Sequence, residues 1–154
     1  MRRKDRELTS QADIEAILKK AFVCHLGLTD GDQPYIVPMN FGYQDGYIYL
    51  HGAKEGRKID IINKNNKVCF EMELFQPEII KNGDQPCDWG TVFRSVIGFG
   101  TARILETEEE KIKGLHAILK PHDDRVFAFP EAMLNETAVI EIKINEMTGK
   151  IAND

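Results

Sequence analysis

Cysteine, histidine and tryptophan are sparse in this sequence, and long apolar runs are missing. The three cysteines, Cys24, Cys69 and Cys87, are an odd number with no two at the spacing of a redox or metal pair, which excludes a disulfide framework. Cys24 and Cys69 sit inside the apolar runs VCHLGL and VCFEM, where a free thiol behaves as a small hydrophobe. No H-E-x-x-H, Walker or G-x-S-x-G sequence occurs, so neither a metal site nor a P-loop nor a nucleophile elbow is expected. No segment is long and apolar enough to span a bilayer, and MRRKDRELTSQ leads into no signal-peptide stretch. A reduced cytoplasm is the expected compartment, with no membrane partner. The formal net charge of −5 offers nucleic acid no bulk attraction. The basic cluster Arg2, Arg3, Lys4 and Arg6 is interleaved with Asp5 and Glu7 and reads as a solvated terminus.

What is present is an ordinary globular balance. Of 154 residues, 42% are hydrophobic and 29% charged, enough apolar surface for one real core. With no repeat and no Pro/Gly/Ser-rich linker, a single domain over residues 1–154 is expected. SQADIEAILKKA puts Ile14, Ile17, Leu18 and Ala21 at helical spacing, with Thr9 or Ser10 as cap. Strand candidates follow: FVCHLGLT, closed by Asp30-Gly31; YIVPMNFGY, closed by Asp45-Gly46; GYIYLH; and KVCFEMEL, with Val68, Phe70, Met72 and Leu74 on one face. AKEGRKIDIINKN reads as a short helix and FQPEIIKNGDQPCDWG as a loop. TVFRSVIGFGTARIL is a long strand, and Thr107-x-x-Glu110 is a capping box opening a helix that Pro121 stops. FPEAMLN reads as a further turn or two of helix, and AVIEIKI closes the chain with Ile140, Ile142 and Ile144 inward. Six or so mostly antiparallel strands with short helices between them predict a mainly β fold, a small barrel.

Four places carry candidate chemistry. In YLHGAKEGRKIDII, Gly52, Ala53 and Gly56 keep bulk low where a strand gives way to a helix. The exposed backbone N–H groups there, with Arg57 and Lys58, suit an anion; a solvated basic helix start is the plainer alternative. In FRSVIGFG, Arg94 and Ser95 interrupt an apolar strand and suit a phosphate or a flavin edge, or else a rim salt bridge. In VPMNFGY, Pro38 and Gly42 weaken a central strand and free backbone groups for the polar edge of a ring system, or mark a simple edge irregularity. His51 ends a strand on the face of Tyr47 and Tyr49, where it can donate to a ligand or move a proton, or serve structurally. His25, His116 and His122 read as structural. Trp89, in CDWG, suits a lid, a dimer contact or a loop anchor.

Taken in order, CHLGLTDGDQPYIVPMNFGY, DGYIYLHGAKEGRKIDIINKNNKVCFE, DWGTVFRSVIGFGTARIL, the EEK-containing helix and EIKINEMTGK resemble the pyridoxamine 5'-phosphate oxidase-related FMN-binding split barrels. The nitroimidazole-resistance group is the nearest in character. The resemblance runs from about Arg2 to Lys150. It implies a six-stranded antiparallel split β-barrel forming a homodimer, with two flavin sites at the interface. FMN is the implied cofactor, with FAD as the variant. Carried across by position, Pro38, Met39, Asn40 and Phe41 would line the isoalloxazine ring through their backbone. His51, Gly52 and Ala53 would flank it, Arg57 and Lys58 would hold the phosphate, and Arg94 and Ser95 would add polar contacts. His51 would be the catalytic residue, and Trp89 would reach the partner subunit's site. The implied activity is an FMN-dependent oxidoreductase acting on a small nitro or aromatic compound. The alternative is a non-catalytic module that binds FMN, haem or F420. The oxidases proper carry further C-terminal substrate-binding sequence with no counterpart after Lys150, so vitamin B6 chemistry is not expected.

Overall fold

Apolar residues recurring at every second position need a sheet with one buried face, and about half of this chain is spent on one. The structure, a computed structural model, describes residues 2–152. Its elements are β1 (Glu7–Leu8), α1 (Gln11–Lys20), β2 (Cys24–Asp30), β3 (Gln33–Met39), β4 (Phe41–Gln44) and β5 (Tyr47–Ala53). Then come α2 (Arg57–Lys64), β6 (Lys67–Lys81), β7 (Trp89–Ile104), α3 (Glu108–Leu119), α4 (Glu131–Glu136) and β8 (Thr137–Ala152). The strands form one antiparallel sheet in the order β3-β2-β6-β7-β8-β5-β4, with β1 added on β8. Its two end strands, β3 and β4, are consecutive in the chain and separated by Asn40 alone. They do not pair with each other, so the curled sheet is a split barrel, with hydrogen bonding open along one seam.

The core lies inside the curl. Leu26, Ile48, Leu50, Phe70, Met72, Val96, Ile140 and Ile142 are fully buried there, and Ile14, Ile17 and Leu18 of α1 close it from outside. Ser10 caps α1 by accepting from the Asp13 N–H at 3.4 Å. The Thr107–Glu110 capping box forms as expected. In α3 the one buried charged side chain among the described residues, Lys111, donates to the Leu134 carbonyl at 2.8 Å and so fastens α4 to α3.

Several expectations need correction. The six strands become eight, because β1 was not foreseen and YIVPMNFGY breaks at Asn40. Pro34 and Pro38 explain where that segment sits: β3 is an end strand with a single partner, where a missing N–H is tolerated. The first hairpin turns on Gly31 and Asp32, since Asp30 still pairs with Gln33; the second turns on Asp45 and Gly46, both at positive φ. The expected loop FQPEIIKNGDQPCDWG is mostly strand. β6 runs on to Lys81 and pairs with β7 as an arm, with a register shift between Phe75 and Ile79 that accommodates Pro77. The last strand extends well past AVIEIKI, to Ala152.

Gly42 sets how closely the sheet meets α3: a Cβ there would lie 2.2 Å from the Ala117 carbonyl oxygen. Helix backbone cannot swing aside as a side chain can. Gly42→Ala should therefore cost about 1–3 kcal/mol, read as a lower urea midpoint with an unchanged m-value.

Candidate functional site

The seam creates a corner. Phe41 and Leu50 are the last pair of the β4–β5 ladder, and beyond them His51, Gly52 and Ala53 pair only with Val139, Ala138 and Thr137 of β8. On the other side β3 has already left to pair with β2. Asn40, at the break, is exposed, as is Pro38, while Met39 and Phe41 turn inward and are buried.

The α2 helix starts at this corner. Its N-cap, Gly56, has φ 117° and ψ 167°, a conformation that only glycine adopts without strain. No side chain caps the helix, and its first internal bonds are those of Ile59 and Asp60 to the Gly56 carbonyl. The amides of Arg57 and Lys58 therefore precede the hydrogen-bond ladder, at the positive end of the helix dipole.

Lys58 and Arg57 part company here. The half-buried Lys58 lays its ammonium against the backbone of Gly52, so closely that a Cβ on Gly52 would be 2.6 Å from Nζ and 3.9 Å from Met39 Cε. Among the described residues Lys58 has no carboxylate partner. Arg57 turns the other way, with Nε donating to Asp30 Oδ2 at 3.4 Å and its guanidinium carbon 4.8 Å from the centre of the Tyr35 ring. The sequence joined the two residues in one task, while the structure separates their side chains.

His51 is exposed on the outer face of β5. Below it on the same face lie Tyr49 and Tyr47, with ring centroids 6.4 Å apart. Burial, and then the hydrogen bond to Glu141, push the Tyr49 phenol up to about 12. Arg103 holds that carboxylate in turn at 2.8 Å and bridges to Glu110 at 2.7 Å. Among the described residues no side chain orients the His51 ring.

The structure does not bring Arg94 and Ser95 to this corner. Gly52 faces Ala138 on β8 and Arg94 faces Ile151, thirteen residues further along that strand. As neighbours on a strand, Arg94 and Ser95 also point to opposite faces. Trp89 opens β7 on the arm, where its indole donates to the Gly83 carbonyl at 3.0 Å and Lys81 lies 4.5 Å over the ring.

Two features escaped the sequence reading. A cavity of about 860 Å³ lies between the C-terminal ends of α1 and α3 and the β4–β5 turn, lined by Glu15, Phe22, Tyr43, Lys120 and His122 among others. That is the Tyr47 end of β5, about 20 Å along the strand from Ala53. The second is an apolar outer face. Register aligns Ile36, Gly27, Cys69 and Phe99 in one row and Pro38, His25, Glu71 and Ile97 in the next. Ile36, Phe99 and Ile97 are 67%, 51% and 47% exposed, and His25 Nδ1 meets Glu71 Oε2 at 3.0 Å between them. VIGFG carried the signal, since its bulky residues alternate with glycines that face the core.

Residues 10–151 match the family profile described as pyridoxamine 5'-phosphate oxidase. A solved structure of a proposed 5-nitroimidazole antibiotic resistance protein from Bacteroides thetaiotaomicron is 31% identical. Its TM-score is 0.83 over 94% of this chain and 86% of that one. A flavocytochrome from Azotobacter vinelandii is 22% identical with a TM-score of 0.85, covering 100% of this chain and 72% of that one. A FAD- and heme-binding protein from Mycobacterium smegmatis is 15% identical with a TM-score of 0.85, covering 97% and 74%. These last two share the fold. No curated protein matches the sequence. Among the described residues, no helix is long and apolar enough to cross a membrane.

The thiols rank themselves by burial. Cys87 is exposed, Cys69 is half-buried with its thiol pushed up by burial, and Cys24 is fully buried and pushed up to about 12. A water-soluble aromatic disulfide at pH 8 should label Cys87 rapidly, Cys69 more slowly, and Cys24 only on unfolding. Loss of the fast phase in Cys87→Ser is the check.

Proposed function

From its membership of the pyridoxamine 5'-phosphate oxidase family, we propose that this chain binds a flavin nucleotide, FMN or FAD, at the seam between β3 and β5. In this reading it acts as a flavin-dependent oxidoreductase on a small molecule, in the cytoplasm. The observation that carries it is Lys58: a half-buried ammonium with no carboxylate partner among the described residues, laid over a glycine beside the uncapped start of α2. An unpaired charge held part-way out of water favours an anion as its partner.

The residues present fit the group. The phosphate would be held by Lys58 together with the Arg57 and Lys58 amides. The backbone from Pro38 to Asn40, continuing into Phe41, would run along the polar edge of the ring. The open strand end from His51 to Ala53 would flank it, with Gly52 leaving the room that any side chain would fill. When bound, the flavin supplies hydride or electron transfer. His51, exposed at the mouth, would bind the substrate or give it a proton. A small nitroaromatic is the substrate class, supported by the relative from Bacteroides thetaiotaomicron.

The site reads as shared between two copies. The exposed Ile36 lies on β3, the strand that carries Pro38 and Met39, and the exposed Ile97 and Phe99 lie on β7 in the same registered rows across β2 and β6; an apolar face of this kind suits a second protomer. Arg94, Ser95 and Trp89, remote from Gly52 in one protomer, would then serve the partner's site. A second reading, a module that holds FMN, haem or F420 without turnover, draws on the lack, among the described residues, of any side chain that orients His51.

Visible absorption of the purified protein with added FMN tests the cofactor, and anaerobic NADH or NADPH followed by a nitroaromatic tests the chemistry. A bound flavin that bleaches and is reoxidised supports the oxidoreductase; one that stays oxidised supports the module. A colourless protein that takes up no flavin sinks both. Lys58→Ala should weaken FMN by about 1.5–3 kcal/mol, roughly ten- to 150-fold, and leave riboflavin, which lacks the phosphate, nearly unchanged. Equal losses for the two ligands would refute the phosphate assignment. His51→Ala should retain flavin and lose most turnover, a split that equilibrium binding and steady-state rates measure separately.

A further inference from the structure

Arg57 and Lys58 are adjacent at the start of α2, yet only Lys58 is left to a single phosphate. To reach the same phosphate, Arg57 would have to leave the Asp30 carboxylate and the Tyr35 ring, which already hold it. Resting on the flavin reading above, we propose that Arg57, Tyr35 and Asp30 form an adenosine subsite, so that the nucleotide this site is built for is FAD rather than FMN.

Position supports this. Tyr35 precedes Met39 by four residues on β3, about 13 Å along the strand, and Met39 Cε lies beside Gly52 and the Lys58 ammonium. The Arg57–Tyr35 pair therefore stands beyond the phosphate position, on the hairpin made by β2 and β3. The partly exposed chain from Gln33 to Pro38 connects the two places.

Chemistry supports it as well. A guanidinium laid on an aromatic ring is a flat, cationic platform, and the Arg57 side chain is 51% exposed. Such a plane stacks on a purine through cation–π and π contacts. Asp30 engages Arg57 through Nε, and the terminal nitrogens of this half-exposed side chain supply donors for the second phosphate of a dinucleotide. Asp30, about a third exposed, keeps lone pairs for the exocyclic amine of adenine or for a ribose hydroxyl. A lone phosphate would gain nothing from Asp30, since a carboxylate beside an anion repels it. A pyrophosphate with an adenosine beyond it uses all three residues.

The test is a fluorescence titration of the intact protein with FMN and with FAD, repeated on Tyr35→Ala and Arg57→Ala. FAD should bind about tenfold or more tightly than FMN, on the scale of one stacked base. Tyr35→Ala should erase that preference while leaving FMN affinity within about twofold. Arg57→Ala, a change on an exposed side chain that leaves the core alone, should weaken FAD more than FMN. Equal affinity for the two nucleotides, or losses shared equally by both in the two variants, would overturn the subsite and leave the flavin reading standing. Failure of both nucleotides to bind would overturn the flavin reading, and the subsite with it.

Discussion

Everything at the candidate site follows from one break in hydrogen bonding, at Asn40. Backbone N–H and C=O groups in a folded chain need partners, and the strand that would complete the barrel divides its partners between β2 and β5. Once β3 has gone to β2, the last residues of β5 keep a ladder on one side only. That leaves polar backbone facing a gap on a rigid scaffold, which is what an edge-on ring with alternating donors and acceptors requires. The prolines of β3 belong to the same arrangement, because an end strand tolerates a missing N–H and a central one does not.

The gap is electrically biased. A short helix begins beside it with no capping side chain, and Gly56 takes a backbone geometry that a larger residue would resist. The positive helix end and the Lys58 ammonium therefore add at one spot. Asp30 removes Arg57 from that sum and moves a second positive group along β3. A site with one concentrated charge would be satisfied by any small anion. Two positive groups set apart along a strand, the outer one stacked on an aromatic ring, select for a longer ligand with its own planar end.

Much of this was legible in the sequence, for reasons tied to range. Local rules read well: the Thr107 capping box, the α1 face of Ile14, Ile17 and Leu18, the Asp45-Gly46 turn, and the period-two faces of KVCFEM and AVIEIKI all formed. The arm from Phe75 to Phe93 differs from the expected loop because its prolines and glycines speak for a loop only locally. Pairing between β6 and β7, a non-local term, outweighs them. The Asp30–Arg57 bond joins residues 27 apart in sequence, and no local pattern announces it. Arg94 and Ser95 were grouped by adjacency, although strand alternation alone sends them to opposite faces.

In the proposed reading, one protomer does not complete the site. His51 stands exposed on the outer face, while Gly52 and Lys58 meet on the inner side of the strand end. A ring seated along Pro38 to Asn40 would thus be gripped from one side and open on the other. The outer sheet face beside β3 is apolar in two registered rows, with the His25–Glu71 pair set among them, and such a face gains most by meeting its own copy. A second protomer docked there would bring its long β6–β7 arm, with Trp89 and Phe93, towards a neighbour in place of solvent. The arm's length then has a physical reason. A two-stranded ribbon reaching past the barrel has little of its own to bury, and in that reading the second copy would supply the surface that stabilises it.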